Sequence, residues 1–262
     1  MIKISGVIIA FNEEEYIGNC LESLKGVADE IIVVDSFSTD STEEICKSHN
    51  VKFIRHAFEG YAEQKNYATS LASFNIVLSL DADEALSDEL KESILRVKED
   101  FQADGYYFNR LNNYCGRWIK HSRLYPDHQL RLFDRTKGRW VGPNPHDNFR
   151  LEKGSKIRWL RGNLYHWNYK SIEEHIDKIN KFTTIAAEEY FKAGKKASIV
   201  SCLLHMWWNF FRSYFLNMGF LDGYLGYMSC SISAYGSFLK YAKIKRLMNM
   251  AKLKEKANEK QY

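Results

Sequence analysis

Four short β-branched runs, "ISGVIIAF" (4–11), "EIIVVDS" (30–36), "VKFIRH" (51–56) and "NIVLSL" (75–80), occur in the first eighty residues. Helical patterns over Glu14 to Lys25, Ser41 to His49 and Tyr61 to Leu71 separate them. This alternation constrains the fold more than any other feature. Nearly unbroken apolar runs suit strands covered on both faces. Strand, helix, strand in this rhythm gives parallel pairing with right-handed crossovers. In such a sheet ligands bind beyond the carboxyl ends of the strands. Those ends carry Asn12 and Glu13, then Asp35, then Asp81 and Asp83. The N-terminal apolar run is too short for a signal peptide and is followed at once by acid, so it is expected to be a buried strand. The second helix is expected to open on a capping box, Ser41-x-x-Glu44.

From Gly105 to Trp167 the pattern changes. "GYYFNRLNNY" and "HQLRLFDRTKGRWVG" read as strands and a hairpin with Lys137-Gly138 at its turn. The three prolines, Pro126, Pro143 and Pro145, stiffen the loops here. "SIEEHIDKINKFTTIAAEEYFKAG" then reads as an amphipathic helix capped by Ser171 and Glu174 and ended by Gly194. Five scattered cysteines without CxxC spacing suit a reducing compartment rather than disulfides or zinc.

"NIVLSLDADEAL" ends a buried run in three carboxylates within four residues, Asp81, Asp83 and Glu84. Water or a bound cation is the expected offset to their repulsion. Residues 81 and 83 of an extended stretch project to one side, so both can meet one hard cation or its waters. Mg²⁺ and Mn²⁺ take such oxygen ligands, and phosphate oxygens commonly complete the shell.

"VIIAFNEEEYIGNCLESL", "EIIVVDSFSTDST", "GYAEQKNYATSLA" and "VLSLDADE" resemble, in order, the nucleotide-sugar half of family 2 glycosyltransferases, which have the GT-A fold. "YPDHQLRLF", "HDNF", "YHWNYKSIEEHIDKIN" and "GFLDGYLGY" extend the resemblance toward the branch that builds the lipopolysaccharide inner core. The resemblance implies an inverting, metal-dependent transfer from a nucleotide-sugar, a UDP-hexose above all, to a core glycan or glycolipid. It implies that Phe11, Asn12 and Glu14 border base and ribose, that Asp35 accepts a hydrogen bond from them, and that Lys65 meets the phosphates between Gln64 and Asn66. Asp81, with Ala82, would lie by ribose and metal, and Asp83 would be the main ligand to Mg²⁺ or Mn²⁺, while Glu84 orients the loop. Asp147 is the candidate base, with Asp127 in reserve. Relatives tend to carry His-Glu where this chain has His146-Asp147, a methylene shorter. His146 and His166 are candidates for a third metal ligand or an acceptor contact, set against a plain structural hydrogen bond. Arg131 pairs with phosphate or acid, or packs along its strand. A dehalogenase-type phosphatase would want Thr or Val where Ala85 stands, and a nucleotidyltransferase a Gly-rich basic loop where "AFNEEE" stands. A catalytically inactive scaffold remains the non-enzymatic alternative.

The last third is expected to be helical and membrane-associating. Ser201, His205, Asn209, Ser213 and Asn217 form a polar stripe at four-residue spacing on a segment rich in Trp and Phe. Gly219, Gly223, Gly226, Ser229, Ser233 and Ser237 recur every three or four residues, so that helices approach closely. Arg212, His205 and Asn209 would be costly inside a bilayer, which favours a hairpin lying in the interface. From Lys240 onward eight Lys or Arg face two Glu, so the tail carries +6 and the remaining 239 residues −2. Such a tail suits anionic headgroups. The plan is therefore α/β: a GT-A-type, Rossmann-like, mostly parallel sheet over residues 1–168, divided into a nucleotide-sugar half (1–104) and an acceptor half (105–168). A helical extension follows over 169–262. The expected site is the cytoplasmic face of the inner membrane, held peripherally. The partners are a nucleotide-sugar, a glycolipid or oligosaccharide acceptor and a membrane surface, not nucleic acid, with oligomers open to the C-terminal helices.

Overall fold

The computed structural model describes residues 1–142 and 147–259. The chain divides into two compact units: Met1–Asn112 with Pro126–Asn168, and Asn113–Tyr125 with Tyr169–Tyr262.

The first unit opens with β1 (Ile4–Ala10), α1 (Ile17–Leu24), β2 (Glu30–Asp35), α2 (Thr42–Ser48), β3 (Lys52–Arg55), α3 (Tyr61–Ser70) and β4 (Ile76–Asp81). It continues through β5 (Glu84–Leu86), α4 (Asp88–Glu99) and β6 (Gly105–Tyr114), whose last two residues fall in the second unit. After the two-residue β7 (Arg117–Trp118) of the second unit come β8 (Asp127–Asp134), β9 (Gly138–Val141), β10 (Asn148–Leu151) and β11 (Ile157–Tyr169). The main sheet runs β3-β2-β1-β4-β8-β6-β11-β5. β3, β2, β1 and β4 are parallel, while β8 lies antiparallel to both β4 and β6. This is the mixed, mostly parallel α/β plan expected from the alternation of runs.

Alternate residues of each strand feed two cores, one on either face. Ile4, Ile8, Leu78, Leu80 and Phe108 pack with α1 and α4 residues on one side. Val7, Ile32, Val34, Val77 and Phe133 pack with Trp140 and Phe149 on the other. Each fully buried aliphatic or aromatic side chain contributes about 1.5–3 kcal/mol of hydrophobic transfer. The order of strand addition reverses at β1, with β2 on one flank and β4 on the other. Asp35 is opposite Ala10, and Asp81 opposite Ile9, so their carboxylates share the rim at this switch point.

Two local expectations are corrected. Lys137-Gly138 is not a hairpin turn, because β9 pairs with β10 rather than β8. Asp134 caps a 3₁₀ turn at 135–137, and the Asn66 amide bonds both the N–H and the C=O of Trp140, tying β9 to α3. At α2, Ser41 forms no side-chain cap. Its N–H donates to Glu14 instead, and Asp40 accepts from the Thr42 N–H.

The second unit contains α5 (Ile172–Lys192), α6 (Ile199–Phe211), a π turn at 212–216, a 3₁₀ turn at 219–222 and the 37-residue α7 (Gly223–Glu259). Ser171 caps α5 by accepting the Glu174 N–H, and Gly194 lies just beyond its end in the left-handed region. The polar stripe of α6 faces α7: Asn209 donates to the Ser237 hydroxyl at 2.5 Å and accepts from Ser213, and His205 stacks on Tyr241. Small residues permit this approach. A Cβ on Gly226 would lie 2.1 Å from the carbonyl oxygen of Gly219. Ile199, Leu204, Trp207, Trp208 and Phe215 are left exposed. No helix among the described residues is long and apolar enough to cross a membrane.

Candidate active site

The rim beyond β1 and β2 is built by one loop holding another. Asn12 takes a left-handed conformation that turns the chain away from β1, and its side-chain oxygen accepts the Thr39 N–H at 2.8 Å. Its own N–H donates to the Ser38 hydroxyl. Asp35 is buried, and its two oxygens accept the N–H and the hydroxyl of Ser38. Glu14 accepts the Ser41 N–H at 3.0 Å. Asn12, Glu14 and Asp35 thus fix the rim. Phe11 and Phe37 are exposed on these two joined loops, and Phe37, also left-handed, is a residue that sequence reasoning missed.

Beyond β4 the acids meet the protein's own cations, a third answer beside water and metal. Asp81 lies 3.0 Å from the Lys65 ammonium and 2.8 Å from the Arg131 guanidinium. Lys65 also contacts Asp147 at 3.0 Å. Arg131 reaches Glu84 at 3.0 Å, as does Arg110, which also holds Asp127 at 2.8 Å. Glu84 is fully buried and accepts the Asp81 N–H. The result is one alternating chain, Asp147–Lys65–Asp81–Arg131–Glu84–Arg110–Asp127. Trp140 lies under both Lys65, at 4.7 Å, and Arg131, at 5.5 Å. Arg110 and Trp140 had no sequence signal beyond a lone Arg in a strand and a Trp after a turn. Lys65, expected to be open to phosphates, is buried with this pairing, and the Nε and Nη1 of Arg131 have no hydrogen-bond partner.

Asp83 stands apart. Its partner is His166, whose Nε2 is 3.3 Å from the carboxylate and whose Nδ1 is 2.6 Å from the Asn112 side-chain oxygen. With Nδ1–H donating to Asn112, Nε2 is the ring nitrogen that faces Asp83, and a proton or a cation can join the two. Burial disfavours the charged forms of Asp81 and Asp83, but Arg131 with Lys65, and His166, outweigh it and hold both carboxyls below the ordinary range. Asp127 is likewise lowered, with Arg110 overcoming burial.

A divalent cation fits this donor set. Five carboxylates (Asp81, Asp83, Glu84, Asp127 and Asp147) meet three permanent cations, leaving two negative charges, and Asp83 is the carboxylate without Lys or Arg. Among the described residues no three His, Cys, Asp or Glu side chains converge as a complete metal cage. A cation here would rest on Asp83 and His166 and take further oxygens from a ligand, as Mg²⁺ does with substrate phosphates. His146 lies outside the described residues. Ala82 is buried between the two acids.

Residues 5–160 match the family model for glycosyl transferase family 2. An uncharacterized glycosyltransferase of Rickettsia typhi is 33% identical over 259 residues, covering 94% of this chain and 88% of its own. The lipopolysaccharide core biosynthesis glycosyltransferase LpsC of Rhizobium meliloti is 30% identical over 252 residues, covering 93% and 92%. Staphylococcus aureus TarS 1–349, solved with UDP-GlcNAc, aligns at a TM-score of 0.46 with 19% identity over 90% of this chain and 80% of that one.

Proposed function

The chain belongs to glycosyl transferase family 2 and is a glycosyltransferase; from that premise we propose that it moves a hexose from a UDP-sugar, with inversion, to a lipopolysaccharide-core or related envelope glycolipid. The similarity to LpsC along nearly the whole chain supports the acceptor class. The observation that carries the chemistry is the charge chain running from Asp147 to Asp127, with the Asp83–His166 pair beside it.

In this reading Phe11, Asn12, Glu14, Asp35 and Ala82 shape the nucleoside end, with Asp35 and Glu14 acting through the loops they hold. Asp83 and His166 would hold Mg²⁺ or Mn²⁺, and Asp81 neighbours it while staying bound to Lys65 and Arg131. When bound, the cation supplies Lewis-acid stabilisation of the departing diphosphate. Asp147 is the base that takes the acceptor hydroxyl's proton as that oxygen attacks the anomeric carbon from the side opposite the diphosphate. At rest Lys65 is bonded to Asp147. Incoming phosphates compete for the Lys65 ammonium and release the carboxylate for proton transfer. Arg131, with two N–H groups unpaired, has donors left for the same phosphates or for the acceptor. Asp127 is the less suited base, because its ion pair with Arg110 outweighs burial and lowers its basicity.

The acceptor is lipid-borne in this reading, so the enzyme works peripherally at the cytoplasmic face of the inner membrane. The test is release of UDP from a panel of UDP-hexoses without acceptor, with and without Mn²⁺. Metal-dependent release, abolished by Asp83→Ala, supports the reading. Release indifferent to both metal and Asp83 would sink it.

A further inference from the structure

The helical unit holds two adjoining clefts lined by none of the site residues named above. The larger, about 190 Å³, is lined by Ser122, Arg123, Asn209, Ser213 and Ser233 among others. The second, about 130 Å³, is lined by Arg123, His205, Trp208, Arg212, Lys240 and Tyr241 among others. Arg123 and Asn209 belong to both, and no Asp or Glu lines either.

The three cations have no acid to answer them. Among the described residues Arg123 and Arg212 form no ion pair, and Lys240 sits over the rings of Tyr190 and Tyr241, 4.9 Å from each centroid. The side-chain amide of Asn209 is committed to α7 and Ser213. All three cations line the second cleft, together with Ser237, and two guanidinium forks with an ammonium match the charge and geometry of a phosphate group.

The flank of the cleft identifies the source of that phosphate. Trp208 lines the second cleft and is itself 49% exposed; Leu204, Trp207 and Phe215 of the same stretch are at least half exposed. Soluble ligands give no reason to leave such side chains in water. Trp beside Arg and Lys, with apolar neighbours on one helix, matches the interfacial zone of a bilayer. We infer that the second cleft seats the phosphate of an anionic lipid headgroup, held by Arg123, Arg212 and Lys240, while Leu204, Trp207 and Phe215 enter the boundary between headgroups and acyl chains. This extends the membrane part of the proposed function and does not depend on the chemistry of transfer.

The experiment is co-sedimentation of the full chain with phosphatidylcholine vesicles, with and without phosphatidylglycerol, at fixed ionic strength. Binding is expected only to the anionic vesicles. Arg123→Gln with Arg212→Gln should weaken it about 25-fold, because each basic side chain near such a surface contributes about a factor of five. The charge-matched pair Lys137→Gln with Lys153→Gln, both exposed in the sheet unit, should change it less than about twofold if the term is local. Leu204→Ser with Trp207→Ser, neither of which lines a cleft, should also lower vesicle binding, yet leave intact any thermal stabilisation by inorganic phosphate. Equal vesicle binding by the arginine pair and the lysine pair overturns the site. Phosphate stabilisation that needs Arg123 and Arg212, without any vesicle binding, overturns the lipid in favour of a soluble phosphate ligand. UDP release without acceptor, measured on the same samples, keeps the two readings apart: loss of the arginine dependence with UDP release intact strikes this inference alone.

Discussion

The two units of this chain solve opposite packing problems. In the sheet unit Ile8, Leu78, Phe108 and Phe133 are sealed from water, and the buried Lys65, Glu84 and Arg131 each have an opposite charge against them. In the helical unit the buried set includes His175, Ser213, Asp222 and Ser229, while Ile199, Leu204 and Trp207 are more than half exposed. Water sorts the first unit's side chains. The second is joined by close approach of small residues and by polar bonds between helices, the devices that join helices where the surroundings are as apolar as the side chains. The contrast teaches that one chain can join its elements by two different means, and each variant below tests one half of it.

The largest effect belongs to the sheet unit's charges as chemistry. Asp147→Asn preserves the shape of the carboxylate but removes its basicity, and transfer should fall by about 10²–10⁴-fold, the usual worth of a positioned base. Steady-state turnover with a UDP-hexose and extracted core glycolipid measures it. A fall of under tenfold would return the role to Asp127. Next come the same charges as structure. Glu84→Gln leaves Arg110 and Arg131 facing a neutral amide in a buried site, at a cost of about 3–5 kcal/mol by urea unfolding. Phe108→Ala, in the apolar half of that unit, should cost a similar 3–5 kcal/mol. If Glu84→Gln costs less than 1 kcal/mol, the charge chain is a solvated surface feature and the contrast between the units weakens.

How far the sequence could be read follows the same divide. β1 through β4 were legible because strands buried on both faces leave long apolar runs, and the acids at their ends were legible because acid rarely follows such a run without use. The partners of those acids were legible only in part. Arg131 reads as pairing with phosphate or acid, and it meets Asp81 and Glu84, whereas Arg110, on a strand distant in sequence, left no trace beyond a lone arginine. β9 misled because Lys137-Gly138 looks like a hairpin turn, whereas the Asn66 side chain decides where that strand goes. Asp35 and Glu14 read as ligand contacts, but their visible work is holding loops, a distinction that composition and spacing cannot make. In α6 the four-residue polar stripe was plain, but periodicity alone does not say whether a stripe faces a helix or water.

A pH experiment sharpens the helical side. His175 is packed between Tyr114 and Tyr169 and shares a 3.0 Å hydrogen bond with the Tyr114 hydroxyl. Burial is the main cause that pushes its pKa down, from 6.5 to about 4, with Lys178 adding to it. The folded ring therefore stays neutral while the unfolded ring takes up a proton. The stability is complete above pH 6.5 and falls as pH drops from there to about 4, by about 3 kcal/mol in total. His175→Gln should flatten that slope in denaturation followed between pH 7 and 4. An unchanged slope would assign the acid sensitivity to the carboxylates instead.

The smallest effect is the most diagnostic. Trp207 has the largest side chain type in the chain, and in an ordinary globular protein its loss would be among the worst of single changes. Here it is 60% exposed and stacks on Phe211, so Trp207→Ser removes little buried area and should shift unfolding in water by no more than about 0.5 kcal/mol. Set beside the several kcal/mol of Phe108→Ala, that near-silence would mean that the aromatic surface of α6 contributes nothing to folding in water. A loss above 2 kcal/mol would mean the opposite: Trp207 is core, the helical unit is sorted by water like the sheet unit, and the difference between the two halves disappears.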